Sequence, residues 1–328
     1  MPSGYAALNT TALPAATIED GSAQFDTVLY AGNNDSPRDI SGLSFQPDLV
    51  WIKSRTSTAA HAVADSVRGA NKNLLPNETS DEATGLITAF NSDGFEINRL
   101  YDGASNGTVN GSGHNFVAWA WDAGSSTVSN TDGTITSQVR ASQTNGFSII
   151  TYSGTGSNAT VGHGLNAKPD FYVVKTYSTS DAWMGYHSSE GATKFFEFTS
   201  GPFSTGSNRW NDTEPTSSVI SLGTEQGVNG SGRTHVAYLW TSIPGFSSFG
   251  SYIGNGSADG PFIFTGFRVR YLLQKRADSS GGLKRIVISK RDMSAASRSS
   301  LRFVAAIRTE LLDVVSNPSN FRKSTDKR

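Results

Sequence analysis

Apolar and polar positions alternate with a period of two over many short stretches of this chain, which predicts β-strands. In "NFVAWAW", Val117, Trp119 and Trp121 fall on one face, and Phe116, Ala118 and Ala120 on the other. "HVAYLW" keeps the alternation with Val236, Tyr238 and Trp240. "DLVWIK" and "DFYVVK" are short apolar runs ending in lysine, the pattern of strands buried for most of their length. Pro47 and Pro169 stand just before these runs, where a missing N–H costs nothing. Near the C-terminus the period changes. Leu301, Val304, Ala305, Leu311 and Val315 recur at helical spacing before Pro318, which predicts an amphipathic helix.

The strand pattern is itself repeated. "FDTVLYAGN" from Phe25 corresponds to "FSIITYSGT" from Phe147, and "GLSFQPDLVWIK" to "GLNAKPDFYVVK" at an offset of 122. "DSVRGANKNL" matches "HSSEGATKFF", and "VNGSG" occurs at Val109 and again at Val228, an offset of 119. Four landmarks in one order mark a duplication. A third copy opens at Phe246 and carries "TGFRVRYLLQK", then departs from the pattern after Gly282. The expected fold is therefore all-β: tandem antiparallel β-sandwich-like modules, two complete and one partial. The boundaries read as a linker over 1–24, module 1 over 25–124, a linker over 125–146, module 2 over 147–244, a partial module 3 over 245–282, and a basic helical tail over 283–328. The 125–146 linker adds a hairpin through Asp132-Gly133. In each complete module VNGSG reads as the turn that launches the closing strand, its glycines supplying positive φ.

Composition fits many short strands joined by tight turns: 328 residues, 34 glycines and only 17% charged residues. The net charge of −1 gives no electrostatic case for specific nucleic-acid or membrane binding by the whole molecule. The absence of cysteine excludes disulfides, thiolate metal sites and a cysteine nucleophile. The first twenty residues have neither a basic start nor a continuous apolar stretch, so they do not read as a signal peptide. No run approaches the ~20 apolar residues of a membrane helix.

Candidate chemistry is sparse. His61, His114, His163, His187 and His235 show no metal-ligand spacing, and Asp-rich turns such as "NNDSPRD" lack the alternate-acid calcium loop. "GNGSADG" lacks the strand-to-helix setting of a nucleophile elbow, no stretch ends in Gly-Lys-Ser/Thr, and the glutamates are scattered. The reading is non-enzymatic, with no cofactor and no metal. Trp119, Trp121, Tyr238 and Trp240 read as core. Trp183 and Trp210 lie in polar surroundings, "STSDAWMGYH" and "GSNRWNDTEP", and are expected to be exposed; with Tyr186 they form the candidate glycan-stacking set. Lys53, Lys175 and Lys275 end matched strands and are expected to reach out to solvent.

The set "FDTVLYAGN…GLSFQPDLVWIKSR…DSVRGA…FNSDGF…VNGSG…VAWAWDAG", with its second copy, resembles a tandem β-repeat domain of marine bacteriophage structural and tail proteins. The resemblance covers Phe25 to Lys275. In such proteins the repeats often follow a lectin-like SPRY or laminin-G region, and "PSGYAALNTTALP" is similar to the stretch after it, which implies a missing preceding domain. The implied role is a virion protein of a tail fibre or other appendage, binding host-surface glycan. Its implied partners are other virion subunits and further copies of itself, a trimer being one arrangement. A capsid-surface decoration protein and a polysaccharide depolymerase are the alternatives. No catalytic residues come with the resemblance.

Overall fold

In the computed structural model the described residues are 17–98, 108–198, 201–254, 261–277, 285–286 and 301–307, the last two stretches as backbone only. Module 1 contains β1 (Phe25–Ala31), β2 (Arg38–Ser41), β3 (Leu49–Ser54), β4 (Ala62–Asp65), β5 (Ile87–Asn91), β6 (Gly94–Ile97) and β7 (Asn115–Trp121). Its main sheet has the order β1-β7-β3-β4, and a second layer has the order β2-β6-β5. All ladders between these strands are antiparallel.

The stretch expected to link modules 1 and 2 is part of a sheet instead. It forms β8 (Val128–Asn130) and β9 (Ser137–Ser142), which extend module 2 at its edge. The hairpin expectation holds; the linker boundary does not. Module 2 continues with β10 (Phe147–Ser153), β11 (Ala159–Gly162), β12 (Phe171–Thr176), β13 (Met184–His187), β14 (Lys194–Glu197), β15 (Ser204–Thr205), β16 (Val219–Leu222) and β17 (Thr234–Trp240). The main sheet runs β15-β14-β13-β12-β17-β10-β9-β8, and β11-β16 forms the second layer. Two one-turn helices, α1 (Ser207–Trp210) and α2 (Gln226–Asn229), lie in its long connections.

Module 3 contains β18 (Ser247–Gly250), β19 (Tyr271–Arg276), β20 (Arg285–Ile286) and β21 (Leu301–Ile307), ordered β18-β21-β19-β20. β21 lies between β18 and β19 as β7 lies between β1 and β3, and as β17 lies between β10 and β12. Ile307 faces Ser247 and Tyr271, as Trp121 faces Phe25 and Leu49. The expected C-terminal helix is thus overturned over Leu301–Ile307. That stretch is the closing strand of a third module, because β18 and β19 offer it two backbone ladders that a helix cannot use. The rest of the expected helix lies outside the described residues.

The modules also differ from a row of separate sandwiches. Alternate residues of the core strands of modules 1 and 2, and of β19 in module 3, enter one common core: Leu49, Trp51, Val117, Trp119 and Trp121 from module 1, Phe171, Val173, Val236, Tyr238 and Trp240 from module 2, and Tyr271 and Leu273 from module 3. Each module touches both others. Trp121 meets Trp240 at 6.3 Å, Phe171 meets Phe249 at 5.9 Å, and Tyr271 meets Phe25 at 5.7 Å between ring centroids. The opposite faces pack under the second layers: Val50, Ile52, Phe116, Ala118 and Ala120 with Phe95 and Ile97, and Tyr172, Val174, Ala237 and Leu239 with Ile220 and Leu222. Both faces of the central strands are therefore buried, which accounts for apolar runs without polar interruption. Each fully buried aromatic here contributes roughly 2–3 kcal/mol through the hydrophobic effect.

The lysines one residue before the ends of β3, β12 and β19 are drawn into this packing. Lys175 and Lys275 are buried, contrary to expectation, because loops of the preceding module close over them. Lys175 Nζ donates to Thr79 O (3.1 Å) and Asp181 O (2.8 Å), and Lys275 Nζ to Gly201 O (2.9 Å). Lys53, half-buried, donates to Ser57 O (3.1 Å) and Ala59 O (2.8 Å). Thr79 and Gly201, like Ala59 and Asp181, are counterparts at the repeat offset. Burial pulls the Lys175 and Lys275 ammoniums down to about 8.

Candidate functional site

The structure removes the expected aromatic site. Trp183 is 1% exposed and Trp210 and Tyr186 are fully buried, so none offers a face to a ligand. Trp183 sits in the shared core, its Nε1 donating to Leu75 O of module 1 at 3.3 Å and its ring stacked on Tyr238. Its polar neighbours in sequence misled, because the neighbouring module's loop supplies the apolar cover. Trp210 ends α1 and meets the Tyr172 ring edge-on at 4.9 Å on the other side of the sheet. Tyr186 stacks on Tyr172 and donates to Glu214 Oε2 at 2.6 Å. Trp210 and Tyr186 thus share one core and Trp183 belongs to another.

What the repeat preserves at the surface is a polar loop end braced from inside. The tyrosine of each opening strand donates to the valine carbonyl of VNGSG: Tyr30 to Val109 and Tyr152 to Val228, both at 2.6 Å. The VNGSG asparagines are buried. Asn110 Oδ1 accepts from Asn33 N (3.2 Å) and Arg38 Nη1 (2.9 Å), while its Nδ2 donates to Asn33 Oδ1 (3.1 Å) and Asp35 O (2.6 Å). Asn229 Oδ1 accepts from Thr155 N (2.8 Å), and its Nδ2 donates to Ser157 O (2.7 Å) and Gly223 O (2.8 Å). Each side chain satisfies a loop backbone that strand pairing cannot reach.

Close backbone approach requires glycine here. A Cβ on Gly32 would lie 2.1 Å from Gly111 O, and one on Gly154 would lie 2.3 Å from Gly230 O. The end of the opening strand and the VNGSG turn therefore touch, backbone on backbone, in both modules. Asn34, at φ 67°, accepts from Ser112 N at 2.9 Å and ties the loop to the turn a second time.

The outer sides of these loops carry Asn33, Asn34, Asp35, Ser36 and Asp39 in module 1 and Thr155, Ser157 and Asn158 in module 2, all exposed. Arg38 lies 5.5 Å over the Tyr30 ring, and burial raises the Tyr30 hydroxyl so that it stays a neutral donor. Arg233 pairs with Asp181 at 3.0 Å on the module 2 side. Amide, hydroxyl and carboxylate groups held at fixed positions can hydrogen-bond to polyhydroxylated ligands. No grouping of three or more His, Asp and Glu residues suited to a metal ion occurs among the described residues. Sequence reasoning took VNGSG as a turn alone. The retained signal was the asparagine, since a turn needs only the glycines.

Three repeated units sharing one core, two of them with polar loops braced at the same place in the repeat, define an all-β repeat protein. The chain belongs to a family described as a domain of unknown function, DUF7483, whose model matches residues 20–327. That span takes in all three modules, including the stretch after Gly282 that departs from the repeat pattern. No curated protein and no solved structure matches the chain.

Proposed function

We propose that the protein is a non-enzymatic virion component of a phage, in a tail fibre or related appendage, which binds host-surface glycan through its braced loops. The observation that carries this reading is the pair of polar loops fixed by Asn110 and Asn229 at the same place in two modules. The resemblance of the repeats to phage structural proteins supplies the setting. Two weak, like-built contacts on one rigid body give avidity beyond either alone, and further copies in an oligomer add to it.

The test is binding of purified protein to host cells before and after their surface polysaccharide is removed. Binding that disappears with the polysaccharide, and falls at least tenfold in an Asp35→Ala/Asn158→Ala double variant of unchanged melting temperature, supports the reading. Immunogold label at the tail or its fibres would agree; label confined to the head would replace it with capsid decoration. Release of reducing sugar from the polysaccharide would replace it with depolymerisation.

A further inference from the structure

The two braced loops differ in one charged group. Arg38 opens β2 in module 1, and its counterpart at the repeat offset in module 2 is Thr160. Arg38 is fixed in three ways. Its Nη1 donates to Ala31 O (2.7 Å) and to Asn110 Oδ1 (2.9 Å), and its guanidinium lies over the Tyr30 ring. These hydrogen bonds use one of the three guanidinium nitrogens. Nε and Nη2, an edge that can meet a carboxylate with two parallel hydrogen bonds, have no partner among the described residues. The residue is half-buried, so this edge is not enclosed. The acids next to it in sequence are turned elsewhere. Asp39 lies on the other face of β2, across from Glu96, and its Oδ1 accepts from Asn91 Nδ2 at 2.8 Å. Asp35 accepts from Asn33 Nδ2. Arg38 thus forms no ion pair among the described residues.

We propose that Arg38 anchors an acidic sugar in the module 1 loop, taking the carboxylate of a uronic acid unit on its Nε–Nη2 edge. The proposal rests on the glycan reading above and adds the class of glycan. A guanidinium already fixed by two acceptors and a ring loses little side-chain freedom when it binds. Asn110 is the common tie. Its Oδ1 takes both Arg38 Nη1 and Asn33 N, so the cation and the exposed polar side chains of Asn33, Asn34 and Asp35 belong to one fixed loop. A carboxylate on Arg38 sets the hydroxyls of its sugar ring beside that loop. Module 2 has the neutral Thr160 at this position, and Arg233 on its side is already paired with Asp181. Module 1 therefore reads the charge of the polymer, and module 2 contributes contacts that do not depend on it.

The test uses polysaccharide stripped from host cells, either intact or with its carboxyls reduced to hydroxymethyl groups, against the full chain and Arg38→Gln. The native chain should bind the intact polymer about tenfold more tightly than the reduced one, the worth of a hydrogen bond to a charged group. This comparison needs no variant to fold. Arg38→Gln should bind both polymers as the native chain binds the reduced one. Equal native binding to both polymers would overturn the proposal, because no carboxylate is then read. A variant that still prefers the intact polymer would overturn it by assigning the carboxylate to another residue. A variant weakened equally on both polymers would overturn it by leaving Arg38 as a brace of the loop. Equal binding of the native chain to intact and stripped cells would instead remove the glycan reading, and this proposal with it.

Discussion

His235 shows how one residue position can carry stability in one module and pH sensitivity in another. It stacks on Tyr152 at 5.1 Å, as its counterpart Phe116 stacks on Tyr30 at 5.2 Å. Burial holds the neutral imidazole, lowering His235, His163 and His187 to about 4 and His61 to about 3 from 6.5. The unfolded chain takes up these protons near pH 6.5 and the folded chain only near 4, so between those values the unfolded state binds more of them. Stability from the four sites is complete above about pH 6.5 and is lost as pH falls toward 4. Urea midpoints at pH 7 and pH 4.5 should separate widely for the native protein and less for His235→Phe, which keeps the stack and removes one site. An equal separation in both proteins would show that His235 takes no part. The basic groups act at the other end of the scale. Lys175 and Lys275 are charged when folded only below about 8, so their burial cost fades as pH rises from there toward 10.5.

At the scale of elements, β21 separates what the sequence could tell from what it could not. The alternation in β7 and β17 was legible, and Val117, Trp119 and Trp121 do share a face. So were the repeat, the prolines before β3 and β12, and the hairpin of β8 and β9. "LRFVAAI" carries too few residues to decide between periods of two and 3.6, and the residues around it leaned toward helix. The ladders to β18 and β19, made of residues far away in sequence, decide it. The burial of Trp183 was illegible for the same reason, since its cover is the Leu75 loop more than a hundred residues earlier. Ala305 lies opposite Phe249 on one side and Leu273 on the other, at the middle of both ladders. Proline there removes a donor and disrupts the pairing, at a cost on the order of 3 kcal/mol or more. Ala305→Pro should release module 3 and raise dye binding to exposed apolar surface, with the β17 amides still protected from hydrogen exchange. Protection lost equally in β17 and β21 would mean that module 3 cannot open alone.

At the scale of the molecule the shared core decides how the modules depend on one another. The inner faces of β3, β7, β12, β17 and β19 meet around a cavity of about 20 Å³, whose lining includes Trp51, Trp121, Trp183, Tyr238, Trp240 and Tyr271. A hydrogen bond to a charged cluster crosses the same junction. Arg68, buried, pairs with Asp65 at 2.6 Å and Glu82 at 2.9 Å, and Tyr238 of module 2 donates to Asp65 at 2.8 Å. Taking module 1 away from module 2 would expose the indoles and leave the Tyr238 hydroxyl without its Asp65 acceptor, at a cost of about 1–3 kcal/mol, while the Arg68 ion pairs stay within module 1. A row of independent modules would unfold in steps, each with its own enthalpy. Modules closed around one core should instead unfold together, or with only module 3 leaving first. Calorimetry of the full chain should give one main transition whose van't Hoff and calorimetric enthalpies agree. A fragment over residues 17–124 should show no cooperative transition in the same buffer. A stable fragment with its own sharp transition would mean that the outer core of module 1, around Ile52, Phe95 and Phe116, suffices to fold it. The shared aromatic core would then set how the modules are oriented and leave their individual stability to the layers outside it.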